Sequence, residues 1–395
     1  MEKEERVLVS TLGRARLDPR TGYKMARYRF DSNSVQETPF LGLALRGICQ
    51  PDRMMVLGTT GSMWDVLIEH HAEDGSLEDK RIELMEAVQK ESVDAALLNA
   101  VTPLVEQRLG IPTKLVLIPY AKTLEEQVEI LRILATEIKN GEQVILDVTH
   151  GFRHLPMLSL VAGHYLERVK GNKIEDIYYG ALEMTSPEGE TPVLKLTGLL
   201  RLMDWIEALA AYDKDGDYGV FADLLQQEGF PENRAQQLRR AAFFERTTNP
   251  AKARPVLSGV FAGIENLNTA IGSLFQPELS KRIDWFRPPH RDAWELALAD
   301  AYLERRDYLR TAIYLQEAFI SRKVREQKGE MNDFDTRDSA RHRAKDDEHF
   351  RRLTYLRNAM AHGIRPEDRQ TLAAVQDEIS LRSALKEIRK QLFGK

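Results

Sequence analysis

Five short apolar runs divide the first half of the chain, each closed by small or polar residues: RVLVST before Leu12-Gly13, RMMVLG before TTGS, TKLVLIPY, EQVILDVTHG and IEDIYYGAL. Runs of about four to eight apolar residues bounded by turn formers suit strands buried on both faces, which is how parallel strands read. Between the third and fourth lies TLEEQVEILRILATEIKNG. Here Thr123 and Glu126 make a capping-box pattern, Leu124, Val128, Leu131, Ala135 and Ile138 supply an apolar face, and Gly141 ends the helix. Strand, helix and strand in that order form a β-α-β unit. The first half is therefore expected to be an α/β Rossmann-like sheet with helices on both faces, whose ligands bind beyond the carboxyl ends of the strands.

After TPVLKLTG the strand signals fade. From LLRLMDWIEALAAY onward apolar residues recur at the helical period, so an all-α domain at 196–395 is expected behind the α/β domain at 1–195. A chain of 395 residues is long enough for two such cores. The stretch EQKGEMNDFDTRDSARHRAKDDEH is dense in charge and poor in apolar residues, which predicts an exposed connection. A net charge of -5 excludes a protein that coats nucleic acid with its whole surface and leaves RNA contact to a local basic patch. The single cysteine, Cys49, excludes an intramolecular disulfide and a cysteine zinc cage. The charged start MEKEERVLVS is no signal peptide, and no apolar run approaches the roughly 18 residues of a membrane span. A cytoplasmic location with no membrane partner follows as an expectation.

Three strand ends carry ligand-ready residues. STLGR offers Thr11, Gly13 and Arg14; LGTTGSMWD offers Thr59, Thr60, Gly61, Ser62 and Trp64; DVTHGFRHLP offers Thr149, His150, Gly151 and Arg153, with Pro156 opening an apolar helix. Hydroxyls, a glycine that lets a ligand reach the backbone, and an arginine near a helix start suit phosphate. Each loop alone is also ordinary turn chemistry. Asp147, His150 and His154 lack the local spacing of a helical metal site, so no metal is expected. No G-x-G-x-x-G follows the first strand, which disfavours a dinucleotide cofactor.

Near the C-terminus the chain reads RRLTYLRNAMAHGIRP. At about 100° per residue, Leu353, Leu356 and Met360 form an apolar stripe, Arg357 stands on its flank, and Asn358 and His362 share a face pointing away. Gly363 and Pro366 are expected to stop the helix just after His362. A histidine there can exchange a proton near neutral pH, and an arginine supplies permanent charge for a phosphate.

RNAMAH, an Arg followed by Asn and, after four residues, a His, resembles the signature of HEPN ribonucleases. DVTHG resembles the Asp-x-Thr-His-Gly motif of CRISPR-associated proteins bearing a CARF domain, a Rossmann-like module that this half also resembles in its strand-helix alternation and its early VSTLG loop. The resemblance implies a type III CRISPR antiviral endoribonuclease, activated allosterically when a CARF dimer binds cyclic oligoadenylate, the tetraadenylate in preference to the hexaadenylate. It implies a homodimer or higher even oligomer, a single-stranded RNA substrate and no cofactor. Metal-independent attack by the ribose 2′-hydroxyl would leave a 2′,3′-cyclic phosphate. Carried over, Arg357, Asn358 and His362 would be the catalytic set, and Thr11, Gly13, Arg14, Thr59, Ser62, Thr149, His150, Gly151 and Arg153 would hold the activator. Three alternatives stay open: a nucleotide-binding regulator without RNase activity, a ligand-indifferent RNase, and an RNase that also slowly breaks its activator in the N-terminal pocket.

Overall fold

The computed structural model describes residues 4–15, 22–31, 34–68, 75–363 and 368–394. They divide into two compact units, Met1–Arg201 and Leu202–Lys395, a few residues beyond the expected boundary.

The first unit runs β1 (Arg6–Leu12), β2 (Ala26–Arg29), β3 (Val35–Thr38), α1 (Leu41–Cys49), β4 (Arg53–Gly58), α2 (Gly75–Gln89), α3 (Ala95–Leu109), β5 (Thr113–Leu117), α4 (Leu124–Glu137), β6 (Gln143–Asp147), α5 (Leu155–Lys170), β7 (Lys173–Gly180) and β8 (Glu190–Lys195). One eight-stranded sheet has the order β3-β2-β8-β7-β6-β1-β4-β5. From β1 the chain adds β4 and β5 on one side, then returns to add β6 and β7 on the other, all parallel. The direction of winding reverses between β1 and β6, and such switch points open a crevice at the strand carboxyl ends.

Side-chain alternation explains why β1 reads as continuously apolar. Leu8 and Leu12 join the core formed with α1, β4 and α3, while Val7 and Val9, on the opposite face, are buried as completely. On α5, Gly163 faces Leu146 and Ile174 of the sheet.

The cap of α4 forms as expected: the Thr123 hydroxyl accepts from the Glu126 amide at 3.3 Å, and the Glu126 carboxylate reaches back to the Lys122 amide at 2.7 Å. Its buried face needs correction. Ile130 and Leu134 are buried, whereas Leu124 and Val128 are exposed. Met157, Val161 and Val169 are likewise exposed on α5, the helix against which α4 packs.

The second unit is α-helical: α6 (Gly198–Asp215) leads into it, followed by α7 (Ala222–Gln227), α8 (Glu232–Arg246), α9 (Pro250–Glu265), α10 (Ala270–Arg282), α11 (Arg291–Glu304), α12 (Tyr308–Glu326), α13 (Phe334–Ala344), α14 (Glu348–His362), α15 (Arg369–Ala374) and α16 (Glu378–Phe393). The long α12 packs against α11, α13, α14 and α16.

The charged stretch expected to be a loose connection instead holds α13. Asp333 caps it, accepting from the Thr336 amide at 2.8 Å, and Ala340 and Ala344 turn inward. Arg337 fixes the helix by donating to Glu317 at 2.6 Å and to the Ser321 hydroxyl at 3.0 Å. That hydroxyl in turn donates to the fully buried Glu295, which also receives Arg291 at 2.7 Å. Charge pairing, invisible to an apolar-period reading, orders this segment.

No helix among the described residues is long and apolar enough to cross a membrane.

Candidate functional site

At the switch point two loops approach backbone to backbone. A Cβ on Gly13, after β1, would meet the Gly151 amide nitrogen, after β6, at 2.6 Å, and Gly151 adopts φ +121°. A side chain at Gly13 would force the loops apart, and one at Gly151 would be strained.

Hydroxyls take up the backbone groups around this contact. Thr11 Oγ1 donates to the His150 carbonyl at 2.5 Å. Ser62 Oγ donates to the Leu12 carbonyl at 2.7 Å and accepts from the Thr59 amide at 2.9 Å. The Trp64 indole donates to the Thr59 carbonyl at 2.9 Å, and Thr149 Oγ1 accepts from the Gly180 amide at 2.8 Å. Thr11, Thr59 and Ser62 are buried.

Asp147 and His150 anchor the β6 loop from below. The buried Asp147 carboxylate receives the Ser10 hydroxyl and, at 3.0 Å, the Thr149 amide. Burial pushes this carboxyl up to about 6, against the pull of both hydrogen bonds. The His150 ring turns inward, where Nε2 accepts from the Leu41 amide at 3.2 Å, 3.4 Å from the Tyr28 hydroxyl, with the ring centroid 5.4 Å from Phe40. Leu41 opens α1, and the preceding Phe40 makes no side-chain cap, so His150, distant in sequence, caps this helix. Acceptance at Nε2 puts the proton on Nδ1, and burial lowers the ring's pKa to about 4, leaving it neutral near pH 7. Thr11 and Ser62 thus direct their side chains to backbone groups of the loops, and His150 directs its ring to the start of α1.

Arg14, Gly151, Phe152, Arg153 and His154 reach solvent. Arg14 pairs with Glu91 at 2.5 Å while mostly exposed, and Arg153 lies in electrostatic reach of Tyr179 and Glu183. The end of β5 contributes residues the sequence reading did not select. Tyr120 places its ring 5.6 Å from Phe152 and its hydroxyl 3.1 Å from that of Thr60, and Lys122 sits 4.9 Å over the Tyr120 ring. His154 stacks on Phe152 at 5.8 Å, with Nε2 3.1 Å from the Tyr120 carbonyl. The detectable signal was position: PYAKT follows a strand just as the three chosen loops do. Asp147, His150 and His154, weighed together as metal ligands, point to different partners. The surface sets three cations around the exposed Phe152 ring and the half-buried Tyr120 ring, which can hold phosphates by charge and bases by stacking.

Residues 7–183, a span that includes all four loops, match the family described as the CARF domain of the CRISPR system endoribonuclease Csx1. The matched span takes in most of the N-terminal unit, which is therefore similar to CARF domains. The chain is also 26% identical over 244 residues to the CRISPR-associated protein MJ1674 of Methanocaldococcus jannaschii, an alignment taking in 56% of this chain and 38% of that protein. The CARF match ends before α6 begins, so the helical unit stands on its own geometry.

There α14 carries RNAMAH. Asp347 caps it through the His349 and Phe350 amides at 2.9 and 3.1 Å. Phe350, Leu353 and Leu356 are buried, Phe350 stacking on Phe319 at 5.4 Å; each such side chain contributes about 1.5–3 kcal/mol. Asn358 and His362 share the exposed face, as the spacing predicts, and Arg357 is half-buried on the flank, its Nε donating to Gln316 Oε1 at 3.4 Å. The helix ends at Gly363, at φ +86°; Pro366 lies outside the described residues. Arg357 and His362, five residues apart, project about 140° from one another around the helix.

Proposed function

We propose that the chain is an antiviral endoribonuclease of type III CRISPR defence, working in the cytoplasm as a homodimer or higher even oligomer. Cyclic oligoadenylate, preferentially the tetraadenylate, binds the CARF unit, and the HEPN-type helical unit then cuts single-stranded RNA without a metal. Arg14, Lys122 and Arg153 take ring phosphates beside the Gly13–Gly151 contact, and Phe152 and Tyr120 stack adenine. Thr11, Thr59, Ser62, Thr149 and His150 hold that surface in shape.

The observation that carries the nuclease reading is the divergence of Arg357 and His362 on one helix. A single α14 carries the two on different faces, whereas two copies facing across a two-fold axis offer two of each to one phosphate. His362 then takes the 2′-hydroxyl proton and returns one to the leaving 5′-oxygen, while Arg357 stabilises the pentacoordinate phosphorane, which collapses to the 2′,3′-cyclic phosphate. Asn358, on the His362 face, orients the imidazole or the substrate. The exposed apolar residues Leu124 and Val128 on α4 and Met157, Val161 and Val169 on α5 support self-association, since exposed apolar surface is the sort a second copy covers. Activation needs only a ligand preference for the productive dimer; about 3 kcal/mol shifts the population more than a hundredfold.

The test is separation of function. His362→Ala should abolish cleavage and leave activator affinity unchanged, whereas Arg153→Ala should weaken activator binding and raise the concentration needed for cleavage. Loss of activator binding in His362→Ala would contradict two separate sites.

A further inference from the structure

A buried amide on α12 lies behind Arg357. Gln316 is 8% exposed. Its Nε2 donates to Thr354 Oγ1 at 2.8 Å, and that hydroxyl gives its own proton to the Phe350 carbonyl at 2.9 Å. The order of donors fixes the amide orientation. Because the Thr354 hydrogen is already committed along the helix, its oxygen can only accept, so Gln316 must turn its NH2 toward Thr354 and its carbonyl toward Arg357. Nε of Arg357 donates to that carbonyl at 3.4 Å. A guanidinium is a planar fork, and tethering it at Nε aims the two terminal nitrogens away from the tether.

We propose that Gln316 and Thr354 are positioning residues for Arg357: a hydrogen-bond relay from the Phe350 carbonyl through Thr354 and Gln316 holds the guanidinium by Nε and leaves its terminal nitrogens free for a phosphate. This inference rests on the nuclease reading above. The relay lowers the conformational cost of presenting Arg357, so its loss falls on the chemical step rather than on RNA affinity, because charge stabilisation of the phosphorane depends on aim.

The experiment uses the full chain, cyclic tetraadenylate at saturation and a single-stranded RNA substrate, and compares Gln316→Leu, Thr354→Val and Thr354→Ser. Gln316→Leu and Thr354→Val should lower kcat about ten- to a hundredfold with KM, activator affinity and Tm close to wild type. Thr354→Ser, which keeps the hydroxyl, should restore kcat. In an Arg357→Lys background, which lacks the Nε donor, Gln316→Leu should cause no further loss. Thr354→Val is nearly isosteric and carries the test if Gln316→Leu fails to fold. Wild-type kcat in both Gln316→Leu and Thr354→Val, or an equal loss in Thr354→Ser, overturns the relay. If wild type cleaves, Arg357→Ala does not, and Gln316→Leu is fully active, this inference alone fails; if Arg357→Ala cleaves normally, the nuclease reading fails instead.

Discussion

Replacing His150 separates a framework histidine from a ligand-binding one. In His150→Ala the Leu41 amide, at a fully buried residue, loses its acceptor. An orphaned buried amide costs about 1–3 kcal/mol, and loss of the ring's packing against Phe40 adds about 1 kcal/mol. The sum of about 2–4 kcal/mol corresponds to a fall of about 4–16 °C in the unfolding midpoint of a unit this size. His150→Gln, which offers an acceptor again, should recover part of it. The pH dependence has a definite sign. Because the folded-state pKa is lowered from 6.5 to about 4, the unfolded chain takes up the proton first as pH falls. The ring's contribution is full above 6.5 and is lost as pH falls from there through about 4, amounting to about 3 kcal/mol. The stability difference between wild type and His150→Gln should therefore shrink from pH 7.5 to 4.5. Thermal unfolding of the full chain, followed through its N-terminal unit, and calorimetric titration with cyclic tetraadenylate read both quantities. A His150→Ala protein that melts with wild type yet no longer binds the activator would refute the capping argument and return the ring to the ligand.

Other substitutions should divide in the same way. Arg153→Ala removes an exposed cation and should weaken activator binding about ten- to a hundredfold, the worth of a charge-assisted phosphate contact, with Tm unchanged. Phe152→Ala should cost about 1–3 kcal/mol of binding if the ring stacks a base, measured in the same titration. In the helical unit the buried Glu245, which accepts the Tyr302 hydroxyl, has its carboxyl pushed by burial from 4.5 to about 7. Its folded state holds the proton longer, so stability should decline as pH rises from about 4.5 through 7, by about 3 kcal/mol. Glu245→Gln should flatten that slope in pH-resolved melts, and an unchanged slope would show that the carboxyl titrates normally.

Much of this architecture was legible in the chain because parallel strands and their punctuation obey local rules. The five apolar runs became β1, β4, β5, β6 and β7, and Thr123 capped α4 as its spacing required. Strands β2 and β3, four residues each at the sheet margin, carry too little apolar pattern to stand out. The α13 helix was hidden because its order comes from Arg337 meeting residues on α12, a pairing that exists only after folding. At the candidate site, the loops chosen from the sequence lie together at the strand ends, but the direction of each side chain could not be read from it. Thr11 and Ser62 turn inward to pair loop carbonyls and His150 to cap α1, partners that only the fold supplies, whereas Tyr120 and Lys122 enter the site through sheet order alone.

The most direct test is cleavage of a fluorogenic single-stranded RNA in EDTA by the full chain, with and without cyclic tetraadenylate, alongside His362→Ala. The account predicts metal-free cutting that depends on the ring, products ending in 2′,3′-cyclic phosphate, and no cutting by the variant. Intact RNA with every ring size tried, or equal cutting by His362→Ala, would contradict it.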